Sequence, residues 1–515
     1  AGLYKSERVI TSPQSAVIRV DGDNPREVIN LCANNYLGLA NHPRVIKAAE
    51  EAVEKYGIGP AAVRTIAGTM DIHIELERRL AVFKGVEGAI TFQSGFNANL
   101  GAIPALVSKQ DVIYSDELNH ASIIDGVRLS KAGRLRYKHG DMGELEQHLA
   151  SSGNARTRLV VTDGVFSMEG DIVKLPDLKR IAQKHNARIY LDEAHALGVL
   201  GKTGRGTEEH YGLEPCADIL MGTFSKSFGG IGGFVAGEEV VIDYIKHFAR
   251  PLIFTASMPP AMIASVMATL EIMEKEPQHT QRLQSIAHTM VREFKGLGFD
   301  VGTAETPIIP LIIGDNEKTF TFWKVLFDNG VYANPVVSPA VPPDRSIIRT
   351  SYMAINTDAE LDQVLQVCKK RVVDMRGYLE ARVVRWRAKA APASDQIDVV
   401  IDVVEGPLYR LGTVRFAGDL PDPEPELQQA FGMQRGDIAD LVQLGERLVV
   451  ELGQEDFLDQ LLREPAAPPM GQQNMRVLAV RDGAGEGGKV GAQRRVGHAI
   501  TPRCKKRMAY ASGGM

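Results

Sequence analysis

The chain is poor in cysteine, with four in 515 residues (Cys32, Cys216, Cys368 and Cys504) and no CxxC pair among them. That scatter supports neither a disulfide framework nor a thiolate metal centre, and it fits a reducing, cytoplasmic compartment. Long apolar runs are missing, so no segment reads as a membrane span. The opening AGLYKSERVITSPQ lacks the apolar stretch of a signal peptide. Charge of one sign is not in excess either. A formal net charge of −5 offers no electrostatic reason to expect nucleic acid or an anionic membrane as partner. The remainder, 44% hydrophobic and 24% charged, is that of a globular protein long enough for several domains.

From about residue 28 to 285, short apolar runs alternate with amphipathic stretches. AITF (89–92), VIYS (112–115), LVVTD (159–163), IYLD (189–192) and ILMGT (219–223) read as buried strands. IHIELERRLAVF (72–83) and LPDLKRIAQKHN (175–186) read as helices between them. Such alternation predicts a mostly parallel sheet covered on both faces, with ligands beyond the carboxyl ends of its strands. Asp163, Asp192 and Thr223 fall at those ends. From about 286 to 378 a helix, PIIPLII, a helix at KTFTFWKVLFDNG, IIRTSYM and a closing helix suggest a smaller α/β domain.

The chemistry concentrates in IYLDEAHALG (189–198) and MGTFSKSFGG (221–230). An acid, Asp192, closes a strand, and Lys226 sits in a loop of small residues. One lysine and one carboxylate in this order suit an enzyme holding pyridoxal 5′-phosphate (PLP). The amine forms a Schiff base with the aldehyde, and the carboxylate keeps the pyridine nitrogen protonated. His195 is a candidate for the phenolic oxygen, and His120, in SDELNHASIIDG, for stacking on the ring. Thr223 and Ser225 offer hydroxyls to the phosphate. Ser94, Gly95 and Phe96, in FQSGFNANLGAI, form a strand-to-helix turn that aims amides at an anion. Ser167, in TDGVFSMEGD, follows a further strand. Each has an ordinary reading alone: a surface lysine, a helix cap, a structural histidine, a plain turn. Together they lie after successive strands at one edge of one sheet.

Two short patterns mislead. DEAH (192–195) labels a helicase family, but the only GKT stands downstream at 201–203, with Ala196 where the phosphate loop needs its first glycine. FGGIGGF (228–234) lacks the strand-then-helix setting of a dinucleotide loop and reads instead as close backbone packing beside the lysine.

CANNYLGLANHP (32–43), SDELNHASIIDGVRLSKA (115–132), TDGVFSMEGD (162–171), DEAHALGVLGKTGRG (192–206), GTFSKSFGGIGG (222–233) and RPLIFTASMPP (250–260) resemble the α-oxoamine synthases. These are fold-type I PLP enzymes that join an amino acid to an acyl-CoA. The resemblance covers roughly residues 1–378. It implies Lys226 as the Schiff-base lysine and Cα base, Asp192 on the pyridine nitrogen, His195 on the phenolic oxygen and His120 on the ring face. It implies Gly95, Phe96, Thr223 and Ser225 on the phosphate, joined by Thr255 and Ser257 from the second subunit of a homodimer. Arg349 would hold the substrate carboxylate, and Asn34 would be a substrate-side asparagine. Within the family the first two motifs most resemble glycine C-acetyltransferases, which use glycine and acetyl-CoA. The lysine segment and RPLIFTASMPP lean instead towards 8-amino-7-oxononanoate synthases and serine palmitoyltransferases. A PLP aminotransferase is a further alternative, needing the same lysine and aspartate but no acyl-CoA.

The expected organisation is an N-terminal arm (1–45), a large PLP-binding domain (46–285), a small α/β domain (286–378), a linker (379–395), a partial POTRA-like segment (396–462) and a disordered tail (463–515). The POTRA resemblance rests on IDVVIDVVEGPLYRLGTVRFAG and the helical pattern after it. Such modules bind partners by strand addition in the cell envelope. That setting conflicts with a cytoplasmic PLP core and points to a fusion or frame error at the gene level rather than a bifunctional protein.

Overall fold

A computed structural model of the chain describes residues 7–20 and 26–369 with their side chains, and beyond them backbone elements at 370–380, 382–390, 397–404, 410–411, 413–417 and 476–480. The chain forms two compact units, Ala1–Cys368 and Lys369–Met515.

A seven-stranded sheet organises the first unit. Its strands are β1 (Gly88–Phe92), β2 (Val112–Asp116), β3 (Gly133–Tyr137), β4 (Arg158–Asp163), β5 (Arg188–Asp192), β6 (Ile219–Thr223) and β7 (Gly233–Gly237). They lie side by side in the order β1-β7-β6-β5-β4-β2-β3. Only β7 runs against its neighbours, so the other strands deliver their carboxyl ends to one edge. Alternate side chains feed two hydrophobic cores. Val160 and Leu191 join one with the helices Asp71–Lys84 and Leu175–Lys184, while Leu159, Val161 and Tyr190 join the other with α1 (Gly95–Leu106) and α2 (Ala121–Leu129).

The same unit holds an antiparallel sheet of Ile308–Gly314, Asn334–Val336 and Ser346–Ser351. Helices Gln278–Gly296, Asn316–Asp328 and Asp358–Glu380 pack Phe294, Phe322 and Leu361 over it. The N-terminal strands Val17–Val20 and Arg26–Asn30 pair antiparallel, and the latter also runs parallel to Val331–Tyr332. The arm is thereby tied to Val331–Tyr332, just ahead of the Asn334–Val336 strand of the smaller sheet.

Several expected boundaries move. Residue 285 falls inside the helix Gln278–Gly296, and 378 inside Asp358–Glu380. The stretch 379–395 is not a plain linker, because Arg382–Ala390 is a strand paired antiparallel with Ile397–Val404. Its RVVRWRAKA alternates in period two with β-branched and aromatic residues, a pattern masked by the turn-rich AAPASD behind it. Arg476–Val480, within the expected tail, pairs with Thr413–Ala417. The helices expected in 418–462 lie outside the described residues, as does the rest of the tail. Among the described residues no helix is long and apolar enough to cross a membrane, and no cluster of metal-ligating side chains occurs.

Candidate active site

The carboxyl edge of the large sheet gathers the expected residues. Asp192 ends β5 and is 2% exposed. Its Oδ2 accepts from Asn99 Nδ2 at 2.7 Å and its Oδ1 from the Ala194 amide at 2.9 Å. The Asn99 amide is itself oriented. Its Oδ1 accepts from the Tyr190 hydroxyl at 2.9 Å, and its Nδ2 also donates to Ser122 Oγ at 2.9 Å. Ser122 Oγ in turn lies 2.8 Å from His120 Nδ1. One buried network therefore joins the candidate ring-stacking histidine to the candidate pyridine partner. Asn99, Ser122 and Tyr190 were not read from the sequence. Asn99 stands four residues after Gly95 on the same face of α1, and a fully buried asparagine in that apolar stretch is the signal that marks it.

Lys226 is half-buried in the loop after β6. Burial lowers its pKa from 10.5 to about 8, although the Asp192 and Asp163 carboxyls oppose that effect. Asp163, at the end of β4, accepts from the His120 amide at 2.7 Å. Burial and then the nearby Asp192 push its carboxyl well above the usual range. His120 caps α2, and desolvation lowers its pKa, opposed by Asp192 and aided by Lys226.

His195 is enclosed, and its Nδ1 lies 2.7 Å from the Tyr36 hydroxyl. Burial, then the Lys226 and Arg349 charges, hold its pKa well below 6.5, so the ring is neutral. Burial raises Tyr36 to about 12, so that hydroxyl keeps its proton. The Tyr36 hydroxyl also donates to Asn34 Oδ1 at 3.3 Å. With Nδ1 engaged by Tyr36 in either tautomer, Nε2 is the nitrogen left for a ligand.

Arg349, 6% exposed on Ser346–Ser351, donates from Nε to the Ser167 carbonyl at 2.7 Å and from Nη2 to Asn34 Oδ1 at 3.2 Å. These bonds take two of the five guanidinium donors, and the Tyr36 hydroxyl also lies against this guanidinium. Ser167, expected on the cofactor, is tied in through its carbonyl to this arginine.

At the start of α1 the Ser94 Oγ accepts from the Asn97 amide at 3.0 Å, leaving the Gly95 and Phe96 amides at the open helix end. A Cβ built on Gly95 would stand 2.9 Å from Thr223 Oγ1. The missing side chain therefore keeps a cradle open between helix end and hydroxyl. Thr223 Oγ1 lies 3.0 Å from the exposed Ser225 Oγ. Amides at a helix N-terminus and two hydroxyls form a donor set for a phosphate. Near it, Thr255 is half-buried, and its carbonyl accepts from Gln93. Ser257 Oγ is buried with no partner among the described residues, and a Cβ built on Gly68 would stand 2.4 Å from it.

The cradle, the buried carboxylate, the neutral histidine and the weakened lysine fit PLP. The family model described as Aminotransferase class I and II matches residues 26–367. An 8-amino-7-oxononanoate synthase from Thermoanaerobacter pseudethanolicus is 48% identical over 371 residues, 72% of this chain and 93% of that one. A serine palmitoyltransferase from Sphingobacterium spiritivorum is 47% identical over 71% of this chain and 91% of its own. Among solved structures, a serine palmitoyltransferase from S. paucimobilis with bound PLP and myriocin aligns with TM-score 0.69 and 35% identity, over 72% of this chain and 93% of that one. An 8-amino-7-oxononanoate synthase from Francisella tularensis aligns with TM-score 0.59 and 29% identity, over 68% and 98%. Glycine C-acetyltransferase, expected from the first motifs, is not among these relatives. Fold, site and kinship together make the chain a member of the α-oxoamine synthases, PLP-dependent transferases of fold type I.

Proposed function

We propose that the protein condenses alanine with a pimeloyl thioester, as an 8-amino-7-oxononanoate synthase does. The supporting observation is 48% identity to a protein of that name, sustained over 93% of its length. This reading replaces glycine and acetyl-CoA, and the segments around the lysine and RPLIFTASMPP already leaned towards it.

PLP, when bound, supplies an aldehyde for the amino group and a ring that draws electrons from the bonds at Cα. The chain does the rest. Lys226, with a pKa of about 8, is partly neutral near neutral pH, the form that attacks an aldehyde or takes a proton from Cα. Asp192, fixed by two N–H donors, would hold the protonated ring nitrogen. His195 Nε2 would face the phenolic oxygen, and His120 the ring. Gly95, Phe96, Thr223 and Ser225 would hold the phosphate, with Thr255 of a second copy beside it. Arg349 would grip the substrate carboxylate, with Asn34 beside it, and orient the amino acid for loss of its Cα proton. In the reaction Cα gives up its proton and bonds to the acyl carbon, the thioester C–S bond breaks and the thiol leaves with a proton, and the Cα–carboxyl bond breaks to release carbon dioxide while Cα takes a proton in its place.

Free-thiol release and product mass, measured with alanine and pimeloyl-CoA or its carrier-protein thioester, test the reading. Serine with palmitoyl-CoA and glycine with acetyl-CoA run beside it. Turnover confined to the serine pair favours the reading suggested by the 47% identical relative instead. Silence with all three pairs despite bound PLP would point to an aminotransferase.

A further inference from the structure

His139 lies two residues beyond β3, away from the cofactor cradle. Its ring bridges two acids from different elements: Nδ1 stands 3.1 Å from Asp116 Oδ1 and Nε2 stands 2.9 Å from Asp171 Oδ2. Both nitrogens face carboxylates, so both must carry hydrogen. Burial alone would lower the pKa of this ring, but the bonds to Asp116 and Asp171 outweigh it and raise it to about 10. Asp116 is well supplied, since its oxygens also accept from the Leu118 and Gly140 amides at 2.9 and 3.0 Å. Asp171 is not. Its Oδ1 is buried with no partner among the described residues, so its carboxylate depends on His139.

Asp171 closes a tight loop that begins at Phe166. The Phe166 amide donates to the Asp171 carbonyl at 3.1 Å, and the Gly170 amide to the Phe166 carbonyl at 2.9 Å. The Phe166 ring meets the His139 ring edge-on, with centroids 4.3 Å apart. On the opposite side the loop is pressed against Ile308–Gly314. Gly170 has φ +71°, a Cβ there would stand 2.0 Å from the Ile308 carbonyl oxygen, and its own carbonyl accepts from Thr306 Oγ1 at 2.9 Å. Within this loop sits Ser167, whose carbonyl receives Arg349 Nε.

We infer that His139 is a positioning residue for amino-acid binding: by clamping Asp171 to Asp116 it fixes the Phe166–Asp171 loop, and the Ser167 carbonyl of that loop aims the Arg349 guanidinium at the substrate carboxylate. The inference rests on Arg349 being the carboxylate-binding group. It predicts a defect in substrate binding rather than in cofactor binding or chemistry, because the clamp touches neither Lys226 nor the phosphate cradle.

The test is steady-state kinetics of PLP-loaded His139→Gln, with Arg349→Lys and the double variant, by thiol release with whichever pair the enzyme turns over. Removing the charge is expected to raise the amino-acid KM about tenfold, in the range of couplings carried through packed networks, with kcat and the bound-cofactor absorbance little changed. In the Arg349→Lys background the same change should add less than it does alone. If His139→Gln folds poorly, Asp171→Asn, which keeps an acceptor for Nε2, is expected to raise KM in the same direction. Unchanged KM in both variants, additive effects in the double variant, or parallel loss of kcat and cofactor would each overturn the inference. An unchanged KM in Arg349→Lys alone would instead overturn the assignment of Arg349, and this inference with it.

Discussion

Burial and charge compete at Lys226, and burial wins, leaving the ammonium weaker than in water by a shift from 10.5 to about 8. Between those values the unfolded chain holds a proton on this lysine and the folded chain does not. Unfolding then takes up a proton, so the stability of cofactor-free protein is expected to rise with pH across that window. Denaturant titrations at about pH 7 and about pH 10, comparing wild type with Lys226→Met, isolate the effect; equal gains in both proteins would exclude it. The same variant should lack both turnover and the absorbance of lysine-bound cofactor. Tyr36 offers a second test. Tyr36→Phe deletes the hydroxyl that engages His195 Nδ1 and leaves a buried ring nitrogen unpartnered, a loss of about 1–3 kcal/mol. Expressed in the transition state, that is roughly tenfold or more in kcat. A changed pH response of the cofactor absorbance should accompany it, whereas unchanged kcat and spectrum would make Tyr36 merely structural.

Elements place these residues, and α1 is the one to probe. Its first residue has room for hydrogen only, with Thr223 Oγ1 at 2.9 Å and Thr223 Cβ at 3.0 Å from a built Cβ. Gly95→Ala is expected to force the helix end and β6 apart at about 1–3 kcal/mol. PLP titration of cofactor-free protein should then show affinity lower by about tenfold or more, and unchanged affinity would remove Gly95 from the phosphate site. The buried parallel strands were legible because continuous apolar runs end in polar residues, as ILMGT does at β6. Two strands were not. GRLRY of β3 is an edge strand with exposed arginines, and GFVAG of β7 is rich in glycine because its backbone passes close to α1, where a Cβ on Gly233 would stand 2.8 Å from Gly95 Cα. The catalytic candidates were legible through chemistry that needs particular side chains. Asn99, Ser122, Tyr36 and His139 escaped because each acts through another residue, and only the fold brings those pairs together.

The first unit leaves an apolar face beside the cradle. Ile66 and Phe254 are 83% and 71% exposed, in segments joined by the Val63–Ala256 bridge, and Phe96 at the start of α1 is 43% exposed. Such a patch in one unit calls for a partner, and a second copy would bring its Thr255 with it. Light scattering is expected to give a dimer, and Phe254→Asp should shift it towards monomer with loss of bound PLP; an intact dimer would place the interface elsewhere. The synthase from Thermoanaerobacter pseudethanolicus is matched over 93% of its length by 72% of this chain, and the family match spans residues 26–367, ending before the strands from Arg382 onward. The helix Asp358–Glu380 must stay, because its Leu361, Val364 and Cys368 fill the core under the Arg349 strand. A chain ending at residue 380 is therefore expected to bind PLP and to release thiol with kcat/KM within about twofold of the full chain. Ending it at residue 357 should destroy the small sheet and the amino-acid site together. If the longer fragment bound PLP but lost turnover, the POTRA-like segment would have to be counted as part of the enzyme rather than as an appendage to it.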